Sequence, residues 1–212
     1  MNEETKPLII CGTGGHAKVL ANILVNSNED IIGFIDPHPN NKKNIFGIKV
    51  LGDDSYLNNL SPEDVTLVNG LGSLPNQNNR SILAKRMRDM GFRFTRVIHQ
   101  SAVIGAGVIM EEGVQVMAGV VIQPNVHIGE DTIINTGALI DHDCVIGRAC
   151  HIAPGAICSG GVKINNEVHV GTGTNIIQNI SIGNNTVIAA GSTIFEDIAS
   201  NQKVIQKKFR KS

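Results

Sequence analysis

The chain has 212 residues, of which 42% are hydrophobic and only 3% aromatic, and its formal net charge is −1. A charge this close to neutral gives no electrostatic basis for binding nucleic acid or an anionic membrane surface. The polar, acidic start and the lack of an apolar run of about 18 residues argue against an export signal and against membrane insertion. We therefore expect a cytoplasmic protein of one or two domains.

The first predicted elements are a strand, a glycine-rich turn and a helix. A buried strand over residues 8–11 runs into Gly12-Thr-Gly-Gly-His-Ala-Lys18, and apolar residues then follow a helical spacing from Val19 to Leu24. A second strand over residues 31–35 ends at Asp36. In such a unit the N–H groups of the turn and of the helix start face a phosphate. The pattern predicts a small Rossmann-like α/β domain over residues 1–95.

The same residues also fit a dinucleotide fingerprint, Gly12-x-Gly14-x-x-Ala17 followed by Asp36. The diphosphate of a nucleotide sugar would use the same cradle. Only about 95 residues precede the next domain, which is enough for half of a doubly wound fold but not for the second mononucleotide half. We therefore favour a nucleotide sugar and keep an NAD-binding protein as an alternative.

From residue 104 to residue 198 the sequence repeats every six residues. An apolar residue occupies every sixth position without a break, and a second position four residues later never carries a charged or aromatic side chain. Neither an α-helix nor simple alternation gives this period, whereas short strands joined by turns do. The pattern predicts a mainly β solenoid over residues 96–212, ending in a basic C-terminal tail. We expect both positions to point into the solenoid. The residues at the first inward position are Ile104, Met110, Val116, Ile122, Ile128, Ile134, Ile140, Ile146, Ile152, Cys158, Ile164, Val170, Ile176, Ile182, Ile188 and Ile194.

Three of the four cysteines, Cys144, Cys150 and Cys158, fall on inward positions of this repeat. No Cys-x-x-Cys pair is present. We expect buried, inert thiols rather than metal ligands, redox groups or nucleophiles, which disfavours an acyl-cysteine intermediate.

One segment, from Asn135 to Gly155, keeps the six-residue period but differs from the bland sequence of the other repeats. His142 lies two residues after inward Ile140 and hence on the outer surface. Its neighbour Asp143 is placed to accept a hydrogen bond from one ring nitrogen, which would raise the basicity of the other. An exposed His beside an Asp is also a common surface pair. The segment therefore indicates a candidate general base and no more.

Several motifs carry a resemblance to a known family. Val145-Ile-Gly-Arg-Ala-Cys150 and Ser181-Ile-Gly-Asn-Asn-Thr186 resemble the repeats of hexapeptide acyltransferases. With the glycine loop, Phe34-Ile-Asp36, His142-Asp-Cys144 and Cys158-Ser-Gly160, nearly the whole chain resembles bacterial sugar acetyltransferases of the PglD and NeuD type. The resemblance implies a left-handed parallel β-helix with three hexads per turn, acetyl-CoA as cosubstrate, no metal, and a homotrimer with active sites between subunits.

The resemblance also implies a role for individual residues. His142 would be the general base and Asp143 its acidic partner. The residues matching nucleotide-sugar contacts are Gly14, Gly15, His16, Asp36, Pro37, Gly72 and Asn135. Those matching acetyl-CoA contacts are His151, Gly160, Thr172 and Ala190.

The implied reaction is N-acetylation of a nucleotide-linked 4-amino-4,6-dideoxy sugar by direct attack of the amine on the thioester. A backbone N–H, such as that of Gly160, would stabilise the oxyanion. We favour a UDP-linked sugar. GDP-perosamine is the other candidate, because Asp143 replaces the usual Glu and this also resembles GDP-perosamine enzymes. O-acetylation of sialic acid or a related sugar is the alternative reaction.

Two further protein classes remain to be weighed. A γ-type carbonic anhydrase would need a three-histidine zinc site, and His151 and His169 are expected to stack on adjacent coils. The His-x-x-x-x-His element of that class is absent from the sequence. A non-catalytic scaffold would need neither the glycine loop nor the segment from Asn135 to His151, which argues against it.

Overall fold

The structure is a computed structural model that describes residues 6–38, 44–75 and 77–205. The chain forms two compact units, residues 1–100 and 101–212, whereas the sequence places the boundary at residue 95. Within the described residues, no helix is both long and apolar enough to cross a bilayer. The end of the predicted basic tail, residues 206–212, lies outside the described residues.

The first unit is a small α/β domain. The two predicted strands, over residues 8–11 and 31–35, have the predicted bounds, and the first of two helices contains the predicted helical residues 19–24. A short hairpin and a 3₁₀ helix follow the second of these strands, and the sequence analysis does not predict them. The elements are β1 (Leu8–Cys11), α1 (Gly15–Asn26), β2 (Ile31–Ile35), β3 (Asn44–Ile45), β4 (Ile48–Gly52), a 3₁₀ helix (Asp54–Asn59), β5 (Thr66–Asn69), α2 (Asn79–Asp89) and β6 (Val97–Ile98).

The sheet of the first unit has the strand order β3-β4-β2-β1-β5. Strand β1 pairs in parallel with β2 on one side and with β5 on the other. The chain therefore passes from one side of β1 to the other after β2 and β4. The loops that follow β1 and β5 meet at the carboxyl edge, which is the place where open α/β sheets bind ligands.

The second unit is a parallel β-solenoid of two-residue strands, as the six-residue repeat predicts. Three sheets line its three faces, with strand orders β7-β10-β13-β16-β19-β22, β8-β11-β14-β17-β20 and β9-β12-β15-β18-β21-β23. We call these the first, second and third faces. The strands are β7 (Val103–Ile104), β8 (Ile109–Met110), β9 (Gln115–Val116), β10 (Val121–Ile122), β11 (His127–Ile128), β12 (Ile133–Ile134), β13 (Leu139–Ile140), β14 (Val145–Ile146), β15 (His151–Ile152), β16 (Ile157–Cys158), β17 (Lys163–Ile164), β18 (His169–Val170), β19 (Asn175–Ile176), β20 (Ser181–Ile182), β21 (Val187–Ile188), β22 (Thr193–Ile194) and β23 (Lys203–Val204).

Each coil stacks on the next with a register of eighteen residues. Ile122 pairs with Ile140, which in turn pairs with Cys158. Backbone N–H groups donate from one coil to carbonyls of the next, as Leu139 N does to Ala156 O at 2.9 Å. The core is thus a column of aliphatic side chains stacked on their own equivalents.

The second inward position of the repeat holds several hydroxyl and thiol side chains, and these donate hydrogen bonds to backbone carbonyls. Thr132 donates from its hydroxyl to the carbonyl of Gly147 at 2.7 Å, and Cys150 donates from its thiol to the carbonyl of Asn165 at 3.0 Å. These groups satisfy corner carbonyls inside a narrow apolar prism. All four cysteines are buried, and burial raises the pKa of Cys150 to about 12.

The corners require a left-handed backbone. The glycines predicted at bends have positive φ, for example 66° at Gly137 and at Gly155. Asn125 and Asp143 occupy the same corner position with φ of 61° and 58°. Asn and Asp tolerate this conformation better than other side chains do.

The first coil departs from the predicted core. Ile104 is an inward residue of the repeat, yet it is 39% exposed, and Met110 is only partly buried. No earlier coil of the solenoid stacks on these two residues, so one end of the column is open.

We expect Ile164→Ala to lower the free energy of unfolding by about 2–5 kcal/mol, because Ile164 is 2% exposed within the column. Its neighbour in the same strand, Lys163, is exposed, so Lys163→Ala should change stability by less than about 0.5 kcal/mol. Urea denaturation of both variants provides the measurement. Equal losses would contradict this assignment of inward and outward positions.

Candidate active site

The glycine loop of the first unit is shaped by Asp36 at the end of β2. One carboxylate oxygen of Asp36 accepts hydrogen bonds from the backbone N and hydroxyl of Thr13, at 2.9 and 2.6 Å. The other accepts from the backbone N of His38 at 2.9 Å. Pro37, between them, is exposed. The carboxylate predicted to contact the nucleotide therefore also anchors the loop that would hold its phosphates.

The loops after β1 and β5 bring the other predicted nucleotide contacts together. A Cβ atom added to Gly72 would lie 3.5 Å from Cβ of His16, so these two residues are neighbours. A Cβ added to Gly14 or Gly15 would meet no atom within 4 Å. Gly14 also precedes the first turn of α1. The arrangement leaves open space at the start of α1, where a phosphate can approach the backbone N–H groups of a helix N-terminus.

In the solenoid, His142 and Asp143 form a hydrogen-bonded pair at the corner between the first and second faces. Nδ1 of His142 lies 2.8 Å from a carboxylate oxygen of Asp143. Because an ionised carboxylate only accepts, Nδ1 carries the hydrogen and Nε2 is left with its lone pair. The two side chains are 61% and 59% exposed. The pair has the form of a general base with its orienting acid.

The charges around this pair favour a basic imidazole. The hydrogen bond that His142 donates to Asp143 raises the pKa of His142, and the negative charge of Asp141 adds to the effect. The same bond, together with one from Asn125, lowers the pKa of Asp143. Asp143 therefore remains an ionised acceptor at neutral pH.

Gly160 lies beside this pair on the next coil. A Cβ atom added to Gly160 would lie 2.7 Å from Cε1 and from Nε2 of His142. Its carbonyl accepts from Asn179 N at 3.0 Å, but within residues 77–205 its own N–H donates to no acceptor. A donor without a partner next to Nε2 is a suitable place for the oxyanion of a tetrahedral intermediate.

The remaining predicted contacts lie elsewhere on the prism. Nδ2 of Asn135 donates to Nε2 of His151 at 3.0 Å, and its Oδ1 accepts from Thr136 N at 2.8 Å. His151 is 8% exposed and packs edge-on against His169, with ring centroids 4.9 Å apart. The structure therefore pairs Asn135 with His151 on the third face rather than with His142.

Thr172 and Ala190 are exposed residues on adjacent coils at the corner between the third and first faces. They are stacked by the hydrogen bond from Gly191 N to Thr172 O, at 2.8 Å. In the solenoid of one chain, the candidate site residues thus form two separate groups. One contains His142, Asp143 and Gly160, and the other contains Asn135, His151, Thr172 and Ala190.

No group of three or more His, Cys, Asp or Glu side chains in the described part of the chain is placed to hold a metal ion. His151 and His169 do stack as the zinc alternative requires. However, Nε2 of His151 is engaged by Asn135, and the two rings meet edge-on with their centroids 4.9 Å apart. The two rings are placed as a packed pair.

The sequence analysis does not predict two residues that contact candidate site residues. Asn125 donates to Asp143 Oδ1 at 3.4 Å from one coil away, and Thr13 makes both bonds to one oxygen of Asp36. Asn125 lies eighteen residues, or one coil, before Asp143, so the coil length could have predicted that the two residues are neighbours. Thr13 has no comparable signal, because its contact depends on how the two loops meet.

Comparison with known families identifies both parts of the chain. A model described as the PglD N-terminal domain matches residues 7–87. A model described as bacterial transferase hexapeptide, with six repeats, matches residues 125–160. A search of curated protein sequences found no match.

Among solved structures, the chain is similar to a histidine-to-asparagine variant of perosamine N-acetyltransferase from Caulobacter crescentus in complex with CoA and GDP-perosamine. The identity is 35%, the TM-score is 0.86, and the match covers 94% of this chain and 93% of that one. The acetyltransferase domain of PglB from Neisseria gonorrhoeae, in complex with acetyl coenzyme A, is 29% identical with a TM-score of 0.85, covering 94% and 96%. WeeI from Acinetobacter baumannii, at 22% identity and a TM-score of 0.83, covers 97% and 99% and shows the same fold.

The hydrogen bond between His142 and Asp143 makes a prediction for NMR titration. Asp143→Asn removes the charged acceptor, so the pKa of His142 should fall toward its ordinary value. Asp141→Asn should lower the pKa less, because Asp141 acts on the ring through its charge alone. The His142→Ala spectrum assigns the signal among the seven histidines. An unchanged titration in Asp143→Asn would contradict the pairing.

Proposed function

Because the chain belongs to the hexapeptide-repeat sugar acetyltransferases of the PglD type, we propose that it N-acetylates the amine of a nucleotide-linked 4-amino-4,6-dideoxy sugar. Similar acetyltransferases hold CoA or acetyl coenzyme A in their structures, which supports acetyl-CoA as the acetyl donor. The observation that carries the proposal is the exposed, hydrogen-bonded pair of His142 and Asp143, with Nε2 of the imidazole beside Gly160.

In the proposed reaction the neutral sugar amine attacks the thioester carbonyl carbon. Nε2 of His142 takes a proton from the amine nitrogen as the N–C bond forms. The N–H of Gly160 donates to the developing oxyanion. The C–S bond then breaks, and the CoA thiolate leaves and takes up a proton. Asp143 holds the imidazole in the required tautomer and stabilises the imidazolium that forms.

The glycine loop supports a nucleotide diphosphate as the recognised part of the substrate. Gly14 and Gly15 border open space at the start of α1, and Asp36 holds the loop through Thr13. We propose a GDP-linked sugar in place of the UDP-linked sugar favoured by sequence reasoning. Two observations support this choice: Asp143 stands where Glu is usual, and a GDP-perosamine enzyme is 35% identical.

We also propose a homotrimer, since one chain leaves the candidate site in two groups. An apolar stripe runs along the first face next to His142, formed by Val103, Val121, Leu139 and Ile157 in coil register. Val103 is 60% exposed and Leu139 is 39% exposed. Covering this stripe with a second copy would remove apolar surface from water and bring groups of two subunits together.

The substrate is tested by measuring thiol release from acetyl-CoA with GDP-perosamine, UDP-4-amino-4,6-dideoxy sugars and sialic acid. We expect turnover with GDP-perosamine, reduced by about two to four orders of magnitude in His142→Ala. His127→Ala is the matched control, because His127 also contacts a carboxylate, Glu111 at 2.9 Å, and should keep full activity.

Turnover with a UDP-linked sugar alone would overturn the proposed base. Turnover with sialic acid alone would move the chain to the O-acetyltransferases. Full activity in His142→Ala would overturn the catalytic assignment.

The trimer is tested by Leu139→Glu, which places a charge in the apolar stripe. We expect light scattering to show a trimer for the parent protein and a smaller species for the variant, with loss of most of its activity. Ile82→Glu, which alters an isoleucine on α2 that is 55% exposed, should remain trimeric. A parent protein that is monomeric and active would contradict the proposal.

A further inference from the structure

Gly160 occupies a hexad position at which the backbone does not require glycine. It is the first residue of a corner, and its φ is outside the left-handed region. Every other residue at this position from 106 to 190 carries a side chain, so the coil accepts a Cβ atom there. The equivalent residues are Ala106, Glu112, Ala118, Pro124, Glu130, Thr136, His142, Arg148, Pro154, Asn166, Thr172, Gln178, Asn184 and Ala190.

The space that a side chain of Gly160 would fill is taken by the imidazole of His142. A Cβ atom there would come within 2.7 Å of Cε1 and Nε2 and within 3.3 Å of Cδ2. Contacts below 3 Å are sterically forbidden for carbon, so something must shift. The backbone on both sides is fixed by hydrogen bonds from Gly161 N to His142 O, at 2.9 Å, and from Asn179 N to Gly160 O, at 3.0 Å. The ring is the part that would move.

Movement of the ring would disturb its bond to Asp143. The 2.8 Å contact of Nδ1 with the carboxylate depends on a ring orientation in which the opposite edge lies over the Gly160 Cα. Tilting that edge away changes both the angle at Nδ1 and the position of Nε2. A displacement of about 1 Å at a catalytic group is enough to cost about 100-fold in rate.

We propose that Gly160 is a positioning residue, whose missing side chain seats the His142 imidazole in hydrogen-bonding contact with Asp143. This role rests on the proposed function of His142 as the base, and it is separate from donation by the N–H of Gly160. It explains why this corner, alone among the equivalent corners from residue 106 to residue 190, has a glycine at its first position.

The test begins with Gly160→Ala. We expect the variant to fold with unchanged thermal stability and to lose about 10- to 100-fold in kcat, with a change in KM for the nucleotide sugar of less than about twofold. Ala106→Ser is the matched control, because it adds one heavy atom at the same hexad position of the same corner, where no imidazole lies. It should keep the parent kcat. Parent-like kcat in Gly160→Ala would overturn the proposal.

A double variant separates positioning of the ring from obstruction of the Gly160 N–H by the new methyl group. Combined with His142→Ala, Gly160→Ala should cause no further loss beyond about twofold, because the ring through which it acts is gone. A further loss as large as in the parent background would overturn the proposal and assign the effect to the N–H of Gly160.

NMR titration without substrate provides a readout that does not depend on the proposed function. Asp141 and Asp143 are the charged groups that act on the ring. In Gly160→Ala, weakening of the bond to Asp143 should lower the pKa of His142. If His142→Ala kept full activity, the proposed function would fail, while this titration would still decide whether Gly160 seats the ring. An unchanged titration would overturn the seating.

Discussion

The arrangement of the candidate site depends on the hydrogen-bond ladder that places each solenoid residue over the one eighteen positions earlier. This register stacks Gly160 on His142 and Asp143 on Asn125. It also stacks His169 on His151. The two residues of each pair lie on adjacent coils, and a single coil cannot form the hydrogen bonds of the ladder by itself. The candidate site is therefore formed by contacts between neighbouring coils, and the aliphatic column holds those coils at a constant distance.

The corners of the prism combine two requirements that rarely coincide. The backbone needs a left-handed residue after each first corner position, and the proposed base needs an acidic neighbour. Asp143 meets both, with φ of 58° and a carboxylate 2.8 Å from Nδ1 of His142. The Asp143 side chain is short, so few rotamers are available to it, and Asn125 donates a hydrogen bond to its second carboxylate oxygen. The local fold thus selects the geometry that the proton transfer needs.

Most of the solenoid could be predicted because its inward residues are selected by a single period. Ile140 and Cys144 are buried where the six-residue pattern places them, and the outward position of His142 follows from the same count. The open end at Ile104 could not be predicted, because periodicity does not report what lies beyond the first coil. In the α/β unit, the Thr13 contact with Asp36 escaped prediction, since it joins loops from two different strands. The pairing of Asn135 with His151 was also missed, although both are candidate site residues.

The burial of the thiols has a consequence for an enzyme that releases CoA. The product is itself a thiol, and its oxidised form exchanges with any accessible thiolate through a mixed disulfide. Burial raises the pKa of Cys144 to about 11 and that of Cys158 further still, so both remain protonated at neutral pH and enclosed within the column. The protein can therefore work among CoA and its disulfide without being covalently modified by its own leaving group.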